Sequence, residues 1–176
     1  MSRMLCLLCA LLLLSCAKED KPTPAQERST RLGQASGDIV VGVSWMWSKQ
    51  LDLMRQGVEM AADQINGAGG INGRKLRLIW GDDNEQVKKG IEVAQGFVAN
   101  AEMVAAIGHS TSSITAQAAA LYEEAGILLL VPGATSPSIT EQGHRLVTGW
   151  SSAPSPMIKT PAVNWATLSV LKASGA

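Results

Sequence analysis

Short β-branched runs alternate with stretches of helical period between residues 38 and 131, and that alternation admits few folds. Residues 38–43 read as a strand that is apolar on both faces after Asp38, which suits a position enclosed within a parallel sheet. Leu51, Met54, Val58, Ala61 and Ile65 then recur at helical spacing, and Asn66-Gly67-Ala68-Gly69-Gly70 supplies the glycines that close a helix. Leu76, Leu78 and Trp80 alternate as a second strand, Val87, Ile91, Ala94 and Val98 mark a second helix, and residues 104–107 make a third strand. A third helix is expected over about 112–125 with Gly126 as its stop, and residues 127–131 form a fourth strand broken by Pro132. Strands joined by helices of these lengths take right-handed crossovers, so the expected fold class is α/β: a Rossmann-like parallel sheet with helices on both faces.

In such sheets ligands lie outside the carboxyl ends of the strands, which directs attention to residues 44–48, 81–84, 108–113 and 132–136. Within 108–113, Gly108 permits a tight turn, and Ser110, Thr111, Ser112 and Ser113 bring hydroxyls and unpaired amides to a helix start, an arrangement suited to an anion. One of those hydroxyls serving only as the helix N-cap is the plainer alternative. Gly133-Ala134-Thr135-Ser136, after the next strand, adds small residues and hydroxyls that let a small charged ligand approach the main chain. Asp82 and Asp83 are expected to cap the following helix rather than to bind a metal, since no further carboxylate or His lies at ligand spacing. No cofactor is called for.

Charge and composition remove several function classes. With 15 basic and 15 acidic side chains the chain carries no electrostatic footprint for nucleic acid. Five Trp against one Phe and one Tyr leave little for stacking on RNA bases. An enzyme is the rival class, because Gly108-His109-Ser110-Thr111-Ser112 sits on a strand-to-helix turn as a hydrolase nucleophile does. The closing glycine of that motif is replaced by Ser112, so the chain is expected not to be an enzyme, and His109 is expected to be a loop residue at the rim of the cleft. Residues 67–75 resemble a phosphate loop only superficially, since they follow a helix and no Ser or Thr comes after Lys75.

The N-terminal region predicts an address. Arg3 is followed by an apolar run over residues 4–14, too short to cross a bilayer and suited to a secretory signal. It closes as Leu13-Leu14-Ser15-Cys16, which resembles the bacterial lipobox, where the Cys is diacylated and becomes the new N-terminus. Two acyl chains give stable anchoring, so the product is expected to be extracytoplasmic and lipid-anchored to a bacterial membrane through Cys16. Cys6 and Cys9 would leave with residues 1–15, and no thiol would remain for a disulfide or a nucleophile. Residues 16–37 are polar and without period and read as a flexible tether. The binding lobe is then expected over 38–148 and an aberrant, disordered tail over 149–176.

Three segments, INGAGGINGRKLRL followed by DD, then VAAIGHSTSS, then YEEAGILLLVPGATSPSIT, resemble the N-terminal lobe of type I periplasmic solute-binding proteins of the branched-chain amino-acid ABC-transporter group. The resemblance covers about residues 38–147. It implies a two-lobed clamp that closes on an amino acid or similar small molecule and delivers it to a membrane permease. It further implies that Ser112 and Thr135 hold the α-carboxylate, that the Gly133 carbonyl accepts from the α-ammonium, and that Ala134 lines the wall. A ligand-sensing receptor domain is the alternative output of the same fold.

This chain departs from that family twice. The loop after the first strand is the compact Ser44-Trp45-Met46-Trp47-Ser48, leaving Trp47 or Trp45 to cover the ligand side chain. After about Val147 the residues no longer resemble the family's second-lobe continuation. Read with the last base of each codon joined to the first two of the next, Met157-Ile158 forces Asp, Asn164-Trp165 forces Leu and Trp165-Ala166 forces Gly. That order matches the family's next helix, so a one-frame slip near residues 147–149 is expected to have truncated a longer binding protein.

Overall fold

The computed structural model describes residues 21–47 and 53–149. The apolar run near the start of the expected lobe becomes β1 (Ile39–Trp45), which lies between two other strands and is apolar on both sides because helices pack on both faces of the sheet. In chain order it is followed by α2 (Leu53–Gly67), β2 (Leu76–Asp82), α3 (Val87–Ala99), β3 (Met103–Ile107), α4 (Ser112–Ala125), β4 (Leu128–Val131), α5 (Ser138–Glu141) and β5 (Val147–Gly149), with α1 (Pro24–Gly33) ahead of it. All pairings are parallel, and the strand order is β2-β1-β3-β4-β5.

The order fixes where the helices go. The step from β1 to β2 runs one way across the sheet and the steps from β2 onward run the other, so right-handed crossovers put α2 on one face and α3 and α4 on the opposite face. The α3–α4 face holds the core: Val40, Ala106, Leu129 and Val131 of the sheet pack with Ala94, Phe97, Ala118, Ala119 and Tyr122. Burial alternates along β4, with Leu129 fully enclosed and Leu130 38 % exposed on the α2 face. Cover on that second face is therefore partial among the described residues.

Part of the flexible tether expected over 16–37 is ordered instead. Residues 24–33 form α1, which Thr23 starts by accepting from the Gln26 amide while the Gln26 side chain accepts from the Thr23 amide, with Pro24 in the first turn. Its one buried residue is Arg28, so the helix is held by a buried cation rather than an apolar stripe, and hydrophobic period gave no sign of it. The expected signal, Cys16 with its expected acylation and the expected tail from 149 onward, apart from Gly149 itself, lie outside the described residues.

Candidate functional site

The carboxyl edge of the sheet gathers the loops that follow β1, β2, β3 and β4, and a buried carboxylate ties them together. Asp83, beyond β2, is fully enclosed. It accepts from the Ser110 amide at 2.9 Å, the Ser110 hydroxyl at 2.5 Å, the Glu85 amide at 3.2 Å and the Ser44 hydroxyl at 3.4 Å. Burial pushes its carboxyl up, but the His109 imidazole, the Ser110 hydroxyl and the Ser110 and Glu85 amides outweigh that and lower it to about 2. The expectation that Asp82 and Asp83 cap the next helix is corrected: Asp82 accepts from the Asn84 amide at 3.0 Å in the connecting turn, and Gln86 precedes α3. Both Asp83 oxygens face protein donors, which leaves no open position for a cation.

His109 is likewise not at the rim. It is fully buried, its Nε2 lies 3.0 Å from the Tyr122 hydroxyl, and its ring stacks on Tyr122 at 5.9 Å. Its Nδ1 approaches Asp83 Oδ2 at 3.4 Å without a well-aligned hydrogen bond. These neighbours favour the tautomer with the proton on Nδ1, so that Nε2 accepts from the tyrosine. Burial, then the Asp83 charge, pushes the Tyr122 hydroxyl above its usual range. Ahead of His109, Gly108 turns at φ +143, and a Cβ there would stand 2.4 Å from the Ser44 carbonyl oxygen, so only glycine lets the ends of β1 and β3 approach this closely.

The residues read from sequence as ligand contacts divide into two groups. Ser112 opens α4, its hydroxyl accepts from the Ser136 amide at 3.3 Å, and this bond brings the loops after β3 and β4 side by side. The amides of Ser112 and Ser113 stand at the helix start, where no intrahelical acceptor exists and the dipole favours negative charge. Beyond β4, Ala134 is buried while Gly133 and Thr135 are exposed. By contrast Ser110 is committed to Asp83, and Thr111 is the N-cap of α4, accepting from the Ile114 amide at 3.4 Å.

Trp47, expected from sequence as a covering aromatic, is engaged within its own lobe. Its Nε1 donates to the Gly81 carbonyl at 2.7 Å, its ring meets Trp80 edge-on at 5.2 Å, and the Arg55 guanidinium lies 4.9 Å from one ring and 4.7 Å from the other. Trp45 borders the site instead. A Cβ on Gly133 would stand 2.6 Å from Trp45 Cη2, and the buried Trp45 Nε1 has no acceptor among the described residues. The sequence left Trp47 and Trp45 as alternatives, and the feature that sets Trp45 apart is the absence of a side chain at Gly133.

The sequence profile of a family described as periplasmic binding proteins matches residues 48–169, a span that extends beyond residues 147–149. An amino acid binding protein of Pseudomonas aeruginosa is 43 % identical over 113 residues, covering 62 % of this chain and 30 % of that protein. The Leu/Ile/Val-binding protein homolog 1 of Brucella abortus is 40 % identical over 118 residues, covering 63 % of this chain and 31 % of its own length. An ABC transporter substrate-binding protein from Desulfitobacterium hafniense, solved in complex with Leu, superposes with a TM-score of 0.63 at 40 % identity over 65 % of this chain and 35 % of that one. The chain thus spans about a third of the length of the relatives it matches.

Proposed function

Because this chain belongs to the periplasmic binding protein family, we propose that its described lobe supplies one wall of a solute site that grips an amino acid for import. The observation that carries the reading is the Ser112–Ser136 bond, which ties the start of α4 to the loop that holds residues 133–135. A carboxylate seated there meets helix-start N–H groups and the Ser112 and Thr135 hydroxyls, and an ammonium two bonds away meets the Gly133 carbonyl. Trp45, resting against Gly133, is placed to bound the ligand's side chain, and that contact argues for a small apolar residue. The similarity to a protein solved with Leu supports the same ligand class.

The partners follow from this reading. A solute held in such a crevice passes to a membrane permease of an ABC importer, and acylation of Cys16 would keep the donor protein at the membrane on the extracytoplasmic side. One wall exposes half the ligand to water, which weakens each charge-assisted bond, so the lobe alone is expected to bind leucine far more weakly than a closed clamp would.

Nuclear magnetic resonance on the nitrogen-labelled chain tests this directly. Millimolar leucine is expected to shift the amides of Ser112, Ser113 and Thr135 while leaving those at the opposite end of the sheet unmoved, and Ser112→Ala is expected to abolish the response. Shifts confined to other surfaces, or none at saturating leucine, would refute the assignment. Micromolar binding by calorimetry would overturn the claim that a single wall binds weakly.

A further inference from the structure

We infer that Tyr122, buried in the third turn of α4, is a positioning residue for the carboxylate site at the start of that helix, acting through His109 and Asp83. This rests on the amino-acid reading proposed above. The helix amides that meet the solute's carboxylate have no side chain to adjust them. Their direction is that of α4, so whatever fixes the pose of α4 fixes the site. The buried stripe of α4 is Ile114, Thr115, Ala118, Ala119, Tyr122 and Ala125. Helices hold a position through the relief of their side chains, and the alanine methyls of this stripe present little. Hydrogen bonds supply what the methyls lack. The Thr115 hydroxyl accepts from the His109 amide at 3.3 Å and donates to the Thr111 carbonyl at 2.8 Å. Two turns on, and on the same face, the Tyr122 hydroxyl meets Nε2 of the same histidine at 3.0 Å. His109 thus holds α4 at two points about 10 Å apart along the helix, once through its main chain and once through its ring.

The far side of the imidazole leads back to the helix start. Its Nδ1 stands 3.4 Å from Asp83 Oδ2, and that same oxygen accepts from the Ser110 amide at 2.9 Å, one residue ahead of the Thr111 cap. Tyr122, His109 and Asp83, all fully buried, therefore form a polar chain that leaves α4 in its third turn and returns just before its first. Apolar side chains often fill such a space at no loss of stability, and what a polar chain adds is a fixed set of distances. Removing the phenol oxygen alone leaves Nε2 without a partner, and an unpaired buried acceptor is costly. The imidazole relieves that cost by turning, which shifts Asp83, and with it Ser110 and the start of α4.

Nuclear magnetic resonance on the nitrogen-labelled full chain tests this, with leucine as the probe. Tyr122→Phe keeps the ring and loses only the hydroxyl. Without ligand, the Ser112 and Ser113 amide signals are expected to move, although position 122 lies about 15 Å along the helix from Ser112. With leucine, the dissociation constant is expected to rise about threefold or more, and Thr115→Val, which removes the other hydroxyl that holds His109, is expected to act in the same direction. Val40→Ala truncates a fully buried core residue outside this polar chain and reads the effect of lost stability alone. It is expected to lower the melting temperature while leaving the two amides and the leucine affinity unchanged. Unmoved amides or an unchanged dissociation constant in Tyr122→Phe, or an equal loss of affinity in Val40→Ala, overturns the inference. Should Tyr122→Phe fail to fold, the same outcomes are read on Thr115→Val. A parent protein that does not respond to leucine defeats the amino-acid reading itself and this inference with it.

Discussion

Asp83 shows how one buried residue ties together the loops after β1, β2 and β3. Its carboxyl, lowered from the ordinary 3.8 to about 2, is charged in the fold at pH values where the unfolded chain takes up a proton. The stabilisation is therefore present above about pH 4 and is lost as pH falls toward about 2, with a size of about 2 kcal/mol. Urea melts should show the stability advantage of the parent over Asp83→Asn shrinking as pH falls through that window. An advantage that stays constant down to the acid end would mean that the charge of Asp83 does not stabilise the lobe. Part of this centre was legible in the sequence: Ser112 and residues 133–135 were marked by glycines and hydroxyls at strand ends. Asp83 and His109 were not, because a carboxylate after a strand reads as a cap, and only tertiary packing brings Ser110, Ser44 and Tyr122 around them.

Helices α3 and α4 meet so closely that two glycines in one helix should respond in opposite ways. A Cβ on Gly90 would stand 2.3 Å from Ile114 Cγ2, whereas a Cβ on Gly96 would meet nothing within 4 Å. Gly90→Ala gains helix propensity but forces the helices apart, and thermal melts should show a net loss of about 1–2 kcal/mol. Gly96→Ala should stabilise by about 0.5–1 kcal/mol in the same assay. Equal effects at both positions would mean that the helices do not interlock at Gly90. Periodicity located these helices and the strands between them to within a few residues, since their apolar positions face one core. It missed α1, whose one buried residue is an arginine, and the brief α5 and β5, which are too short for a period to repeat.

Across the whole molecule, the reversal of direction at β1 leaves the α2 face of the sheet with one helix among the described residues. Val41, Ala105, Ile107 and Leu130 line, with Met54, Val58 and Ala61 of α2, a groove of about 410 Å³ on that face. Leu53 at 70 % and Met60 at 61 % exposure extend the apolar surface along α2. An apolar dye such as anilinonaphthalene sulfonate should brighten on the folded chain at neutral pH, and Leu130→Glu should reduce that signal without changing the melting temperature by more than a few degrees. A dark dye would mean that this face is covered in solution. The amino-acid sequence by itself determined the α/β class, the order of its principal elements and where the strands end, because period, glycine stops and β-branching act over neighbouring residues. The strand order, the partial cover of the α2 face among the described residues, the docking of α1 and the contact of Trp45 with Gly133 were decided only by tertiary structure. Each depends on contacts between segments distant in the chain, which local patterning does not record.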